Sequence, residues 1–166
     1  MLRFVAFILL VSSQFFGLSA YADSQSSHSN NVVLTLSDPK SGLSSISFDM
    51  HALTDFPAIT ITTSTIWSQG LQEFTGVSLS TFLDELNVTG KSLTTYAAND
   101  YSIDIPFSDA IEGGPIIAYL HNGEEMTLRT KGPLRIVYPY DSNPDYQTEI
   151  IFARSIWQLE RIEVTQ

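Results

Sequence analysis

The side chains suited to hold a small molecule fall in two stretches of this sequence. The first is Thr63-Ser64-Thr65-Ile66-Trp67-Ser68, followed by Glu73-Phe74-Thr75-Gly76-Val77-Ser78-Leu79. It offers hydroxyls and the face of an indole. The second is Lys131-Gly132-Pro133-Leu134-Arg135-Ile136-Val137-Tyr138-Pro139-Tyr140-Asp141. With Arg129 it gathers three cations into seven residues of an acidic chain. Period two places Arg129, Lys131 and Arg135 on related faces, with Gly132-Pro133 able to reset the register. Such groups bind by stacking, by hydroxyl hydrogen bonds and through a guanidinium fork.

Other chemistries are poorly served. The chain has no cysteine, so a thiolate metal site, a cysteine nucleophile and a disulfide framework are excluded. His28, His51 and His121 are scattered, with no HxH or HExxH spacing, and read as solvated side chains. There is no GxSxG elbow, P-loop or GxGxxG fingerprint. The acidic residues are dispersed, and none forms a pair distinguishable from a solvated face. The 166 residues carry 8 Lys plus Arg against 18 Asp plus Glu, a net charge of −10. That balance argues against a nucleic-acid binder or a polybasic membrane-surface protein, since phosphates attract Lys and Arg.

The elements that must position these residues follow from patterning. Residues 1–22 read as a secretory signal peptide: Arg3, an interrupted apolar run to Leu18, and Ala20-Tyr21-Ala22 before the cleavage point. Residues 23–31 are a polar, flexible leader, and 32–166 form one domain. Cleavage removes Arg3 and makes the net charge −11. An exported chain without cysteine fits the bacterial periplasm. Val32 to Leu36, Ile46 to Phe48, Ala58 to Thr63, Ser92 to Ala98, Tyr101 to Pro106, Ile116 to Leu120, Glu125 to Arg129, Leu134 to Tyr138 and Arg161 to Val164 read as strands. A helical turn is expected near Met50 to Asp55. The clearest helix runs Leu79 to Leu86, with Ser78 as N-cap and Leu79, Phe82, Leu83 and Leu86 on one face. Thr63 to Ser68 reads as a loop between a strand and that helix. The fold class is α+β, a single domain with a mixed β-sheet and few short helices.

These segments resemble the sulfite-oxidase, or oxidoreductase molybdopterin-binding, fold family from about Phe48 to Val164. The residues that carry the likeness are the Trp67 loop, Phe74 to Leu79, Tyr101 with Ile105-Pro106, Asn122-Gly123 and Trp157. Gly132-Pro133-Leu134-Arg135 leading to Tyr138-Pro139 is its most specific piece. Enzymes of that family hold molybdenum through a cysteine just after a strand, and by that spacing Thr63 stands near the cysteine position. A neutral hydroxyl replaces an anionic thiolate poorly as a metal ligand. The resemblance therefore implies the fold and a cofactor-shaped pocket without the redox chemistry.

The sequence is similar to a cysteine-less subgroup of small periplasmic pterin-binding regulatory proteins. Membership would imply a non-catalytic protein that binds a pterin and docks on the periplasmic domain of an inner-membrane cyclic di-GMP synthase or phosphodiesterase, and so influences biofilm formation. No molybdenum is expected, and no direct membrane insertion after cleavage. The alternative is a molybdopterin-dependent oxidoreductase with a non-cysteine metal ligand. A pterin is a flat heteroaromatic with a carbonyl edge, ring nitrogens and an amino group. Trp67 offers a stacking face, and Arg135 a fork for O4 and N5. Asp141 is expected to accept from the 2-amino group and N3–H. Thr63 and Ser64 are expected at the ring edge or its substituent, with Tyr101 and Tyr140 as walls. Trp157 is expected in the core.

Overall fold

Short alternating segments rich in Ile, Val and Thr build most of this fold. The structure is a computed structural model that describes residues 31–39 and 43–166. The expected signal peptide, His28 and almost all of the expected leader lie outside the described residues. The chain runs through β1 (Leu34–Asp38), β2 (Leu43–Phe48), α1 (Met50–Thr54), β3 (Ala58–Thr65), β4 (Ser68–Ser78) and α2 (Leu79–Glu85). It continues with β5 (Ser92–Ala97), β6 (Ser102–Pro106), β7 (Ile116–His121), β8 (Glu124–Glu125), β9 (Arg135–Val137), α3 (Glu149–Arg154) and β10 (Leu159–Thr165).

The strands form two sheets rather than one. The first has the order β2-β1-β10-β5-β6, and the second β3-β4-β7-β8 with β9 also paired to β7. β1 and β10 run parallel and every other pair is antiparallel, so the first sheet is mixed. Leu36, Leu93, Ile105 and Ile162 from the first sheet and Phe74, Val77, Ile117 and Ile136 from the second are all buried in one core. α2 adds Leu79, Phe82 and Leu83 to it. Phe48, Phe56 and Phe82 pack as a tilted cluster with centroids 5.2–6.1 Å apart.

Three expectations need correcting. First, Thr63 to Ser68 is not a loop leading to a helix. β3 continues to Thr65, turns through Ile66-Trp67 and returns as the eleven-residue β4, paired with β3 on one side and β7 on the other. Its glycines and polar residues disguise it. Gly76 is required there: a Cβ would stand 2.1 Å from the Ile117 carbonyl oxygen. Second, the Ser78 side chain does not cap α2. Its Oγ pairs with Ser80 Oγ at 2.8 Å, and the Leu79 N–H donates to the Pro115 carbonyl instead.

Third, the strand expected over Glu125 to Arg129 ends at Glu125. Met126 turns into the core. Thr127 and Thr130 then form a reciprocal capping box around a short 3-10 turn, Leu128–Thr130. Asn122 and Gly123 both take positive φ, as the tight turn before it demands. This 3-10 turn breaks the period-two relation among the cations. Arg129 is exposed on it, while Lys131 closes it in the left-handed conformation, φ 75°.

Candidate functional site

The sequence brings Arg135 and Trp157 together through backbone pairing. Arg135 opens β9, and Trp157 forms an isolated antiparallel bridge to it on the way into β10. Arg135 is 2% exposed and has no acidic partner among the described ion pairs. Its guanidinium carbon lies 4.9 Å from the Phe74 ring centroid and 5.9 Å from that of Trp157. Burial lowers its pKa, with a small opposing influence from Tyr140.

Two more basic groups crowd this arginine. Lys131 Nζ stands 4.1 Å from the Trp157 centroid and 5.7 Å from that of Trp67, so it spans both indoles. Burial and then the charge of Arg135 lower its pKa. His121 closes β7 with its ring stacked on Phe74, centroids 4.6 Å apart and planes 10° apart. Its Nε2 pairs with Gln72 Oε1 at 2.9 Å. Since Asn122 Nδ2 donates to the same oxygen, that nitrogen is assigned as the N–H tautomer. Burial, then Arg135 and Lys131, lower the His121 pKa and favour its neutral form. His121 is therefore a packed, half-buried ring rather than the solvated side chain expected.

Trp67 occupies the centre of an aromatic wall. It makes edge-on contacts with Trp157, Phe152 and Tyr140 at centroid distances of 5.2, 5.7 and 6.1 Å. A cavity of about 270 Å³ opens beside it, lined by Trp67, Trp157, Phe152, Tyr101 and Asn99 among others. A second, about 300 Å³, is lined by Ser64, Thr65, Ile66, Tyr140, Gln147 and Phe152. The two share Phe152.

The expected site residues thus divide among three places. Trp67 and the half-exposed Tyr101 line the first cavity, and Ser64 and Tyr140 the second. Tyr140 is a buried wall whose hydroxyl donates to Ser155 Oγ at 2.7 Å, and burial pushes its pKa up. Arg135 lines neither cavity and is buried against Trp157.

Thr63 and Asp141 are committed elsewhere. Thr63 is buried, its hydroxyl donating to the Ser64 carbonyl and accepting from the Asp141 N–H. The Asp141 carboxylate accepts from both the N–H and the hydroxyl of Ser64, and the Ser64 hydroxyl hydrogen bond, first, holds its pKa low. This clasp ties the end of β3 to the loop after β9. The Asp141 carboxylate, expected to receive a pterin's amino group, thus already has one hydrogen bond to each oxygen from Ser64.

Sequence reasoning passed over Lys131 and Trp157 as site residues. Lys131 stood in the basic run without a role, and Trp157 was assigned to the core. Trp157 is only half-buried and lines the first cavity. The spacing Trp67…Lys131…Trp157 carries no periodicity, so only the fold reveals their convergence.

Comparison with known proteins decides the lineage. Residues 30–166 match the model described as "Oxidoreductase molybdopterin binding domain". The chain belongs to this family. No curated protein sequence matches it. Among solved structures the fold is similar to the sulfane dehydrogenase SoxCD from Paracoccus pantotrophus, with TM-score 0.61 and 21% identity. That match covers 82% of this chain and 38% of the other. This chain thus spans well under half of that relative, and the likeness is one of fold.

The family description implies a pterin-type cofactor, molybdopterin. The donor set here does not fit a thiolate-held molybdenum. The sequence has no cysteine. Thr63 offers only a neutral hydroxyl, already engaged in hydrogen bonds. Among the described residues no three His, Asp or Glu side chains gather as metal ligands. The organic part of such a cofactor is better matched. Trp67 and Trp157 supply apolar faces, and buried N–H donors lie beside them without partners.

Proposed function

We propose that this is a pterin-binding protein of the periplasm that acts without catalysing a reaction. The observation that carries the reading is Arg135, buried yet with Nε and Nη2 lacking any hydrogen-bond partner. An orphaned buried donor costs on the order of 1–3 kcal/mol, more when charged. A flat heteroaromatic with acceptors along one edge would recover that cost while stacking on an indole, itself worth roughly 0.5–1.5 kcal/mol beyond area burial.

Residues 1–22 support export. The loaded protein would act as a ligand-responsive regulator, docking on the periplasmic domain of an inner-membrane cyclic di-GMP synthase or phosphodiesterase and so influencing biofilm formation. The similarity to cysteine-less periplasmic regulators supports this, and the acidic net charge suits a basic partner surface.

Family membership favours a second reading, a molybdopterin-dependent oxidoreductase with a non-cysteine metal ligand. The engagement of the buried Thr63 hydroxyl in two hydrogen bonds weighs against it.

Titrating a pterin into the protein tests the first reading through fluorescence, because the two tryptophans, Trp67 and Trp157, both lie at the site. Saturable quenching is expected, weakened in Trp67→Ala and in Arg135→Ala. Unchanged affinity in both variants, with the fold intact by circular dichroism, removes the proposed site.

A further inference from the structure

Among the described residues, the buried side-chain nitrogens and oxygens without a hydrogen-bond partner are Arg135 Nε, Arg135 Nη2 and Trp157 Nε1. All of them are N–H donors. They belong to residues joined by one backbone bridge, and Lys131, a further donor, covers the Trp157 ring. Among the described residues no acidic side chain forms an ion pair with Arg135, Lys131 or His121.

The titratable neighbours can be named element by element. Arg135 comes from β9, Lys131 from the turn before it, His121 from β7 and Tyr140 from the loop after β9. Glu73 precedes Phe74 in β4, and strand alternation sends it to the opposite face. The carboxylate nearest to Arg135 in sequence, Asp141, is held by Ser64, and Glu124 and Glu125 of β8, the first cross-strand from His121, are exposed, as is Glu160 in β10. The site is therefore cationic and offers donors without a free carboxylate.

A neutral pterin can meet such a site through its O4 and N5 acceptors but brings no charge to offset the guanidinium. Its lactam N3–H and 2-amino group are donors that would meet donors. Loss of the N3 proton to solvent removes one donor and spreads a negative charge over N3 and O4. That edge then accepts hydrogen bonds, and its charge offsets the uncompensated guanidinium, which is otherwise costly to bury.

We propose that this site selects an anionic, acceptor-rich ligand edge, and that a pterin binds here as the anion of its lactam. The proposal rests on the pterin reading above and adds the ionisation state, with Lys131 and Trp157 as ligand-recognising residues. Arg135 lies against Trp157 and lines neither of the two cavities described, and a ligand that reaches it past the Trp157 ring displaces Lys131 from that ring. The flexible lysine side chain is the movable piece of that cover.

The test uses the fully oxidised parent pterin as probe, with the whole protein, over a pH series crossing the free ligand's lactam pKa. Absorbance distinguishes the neutral and anionic forms of the bound ligand. The bound pterin is expected to show the anion spectrum at least one pH unit below the free pKa. Apparent affinity should rise about tenfold per pH unit below that value and level off above it. Lys131→Gln should raise the bound ligand's spectral midpoint by about one pH unit through loss of a nearby charge. His121→Gln should leave it in place, since His121 is neutral over this range. A bound pterin with the neutral spectrum below the free pKa, and affinity flat with pH, overturns this inference and leaves the pterin reading standing. Absence of pterin binding at every pH overturns both.

Discussion

Lys131 Nζ sits 4.1 Å from the centre of the Trp157 ring, beside a buried arginine that has no ion-pair partner among the described residues. The lysine gains a cation–π contact worth about 0.5–1 kcal/mol and meets repulsion from Arg135. The two effects oppose each other. Lys131→Met should therefore change the stability read from urea denaturation by less than about 1 kcal/mol. A loss of several kcal/mol would mean that the lysine is a structural prop rather than a cover.

Arg135 carries the opposite expectation for fold and ligand. Removing an uncompensated buried charge, while keeping an apolar side chain of similar length, is neutral or stabilising. Arg135→Met should keep or raise the thermal midpoint of the ligand-free protein. The same change removes charged hydrogen bonds to a ligand, and loss of even one, worth roughly 1.5–3 kcal/mol, lowers affinity about 10- to 100-fold, so pterin affinity should fall by at least that much. Calorimetry and fluorescence titration read the two effects separately. A clear drop in midpoint with unchanged affinity contradicts the assignment.

The Asp141 clasp predicts an acid-side dependence. Hydrogen bonds from Ser64 lower the folded-state pKa of Asp141 below its ordinary value of 3.8. A carboxyl lowered on folding contributes stability above its unfolded pKa, and loses that contribution as pH falls through the depressed folded value. Wild type should be more stable than Asp141→Asn at neutral pH, and the gap should close below about pH 3.8. Pterin affinity at neutral pH should change little, because the carboxylate is already engaged. A large affinity loss would restore Asp141 as a direct ligand contact.

Gly76 tests the strand that the sequence concealed. Gly76→Ala places a methyl against the Ile117 carbonyl oxygen and the Ala118 Cα. It should cost about 3 kcal/mol through overpacking against backbone, which cannot move aside as a side chain would. Chemical denaturation measures this, and a cost under about 0.5 kcal/mol would contradict the β4–β7 register.

How far the fold was legible follows from these residues. The helix over Leu79, Phe82, Leu83 and Leu86 and the Ile-Thr alternation of β3 were readable because each element's period matches its burial. β4 was not, because a strand paired on both sides is held by backbone hydrogen bonds and tolerates Gly70 and Gly76 without an alternating pattern. Trp67 and Arg135 were legible as candidates because the stretches around them carry the resemblance to the family. Lys131 and Trp157 were not, since their meeting depends on a left-handed residue and a single bridge far apart in sequence. Asp141 shows the converse. Its residue type suited an amino group, and only the fold reveals that Ser64 claims it.

The most direct measurement is mass spectrometry of the small molecules released from full-length protein purified out of the periplasm, with metal analysis of the same sample. A pterin near one per chain, without stoichiometric molybdenum, is the predicted result. Molybdenum at one per chain with acceptor-dependent turnover would contradict it, and so would protein that neither releases nor rebinds any pterin.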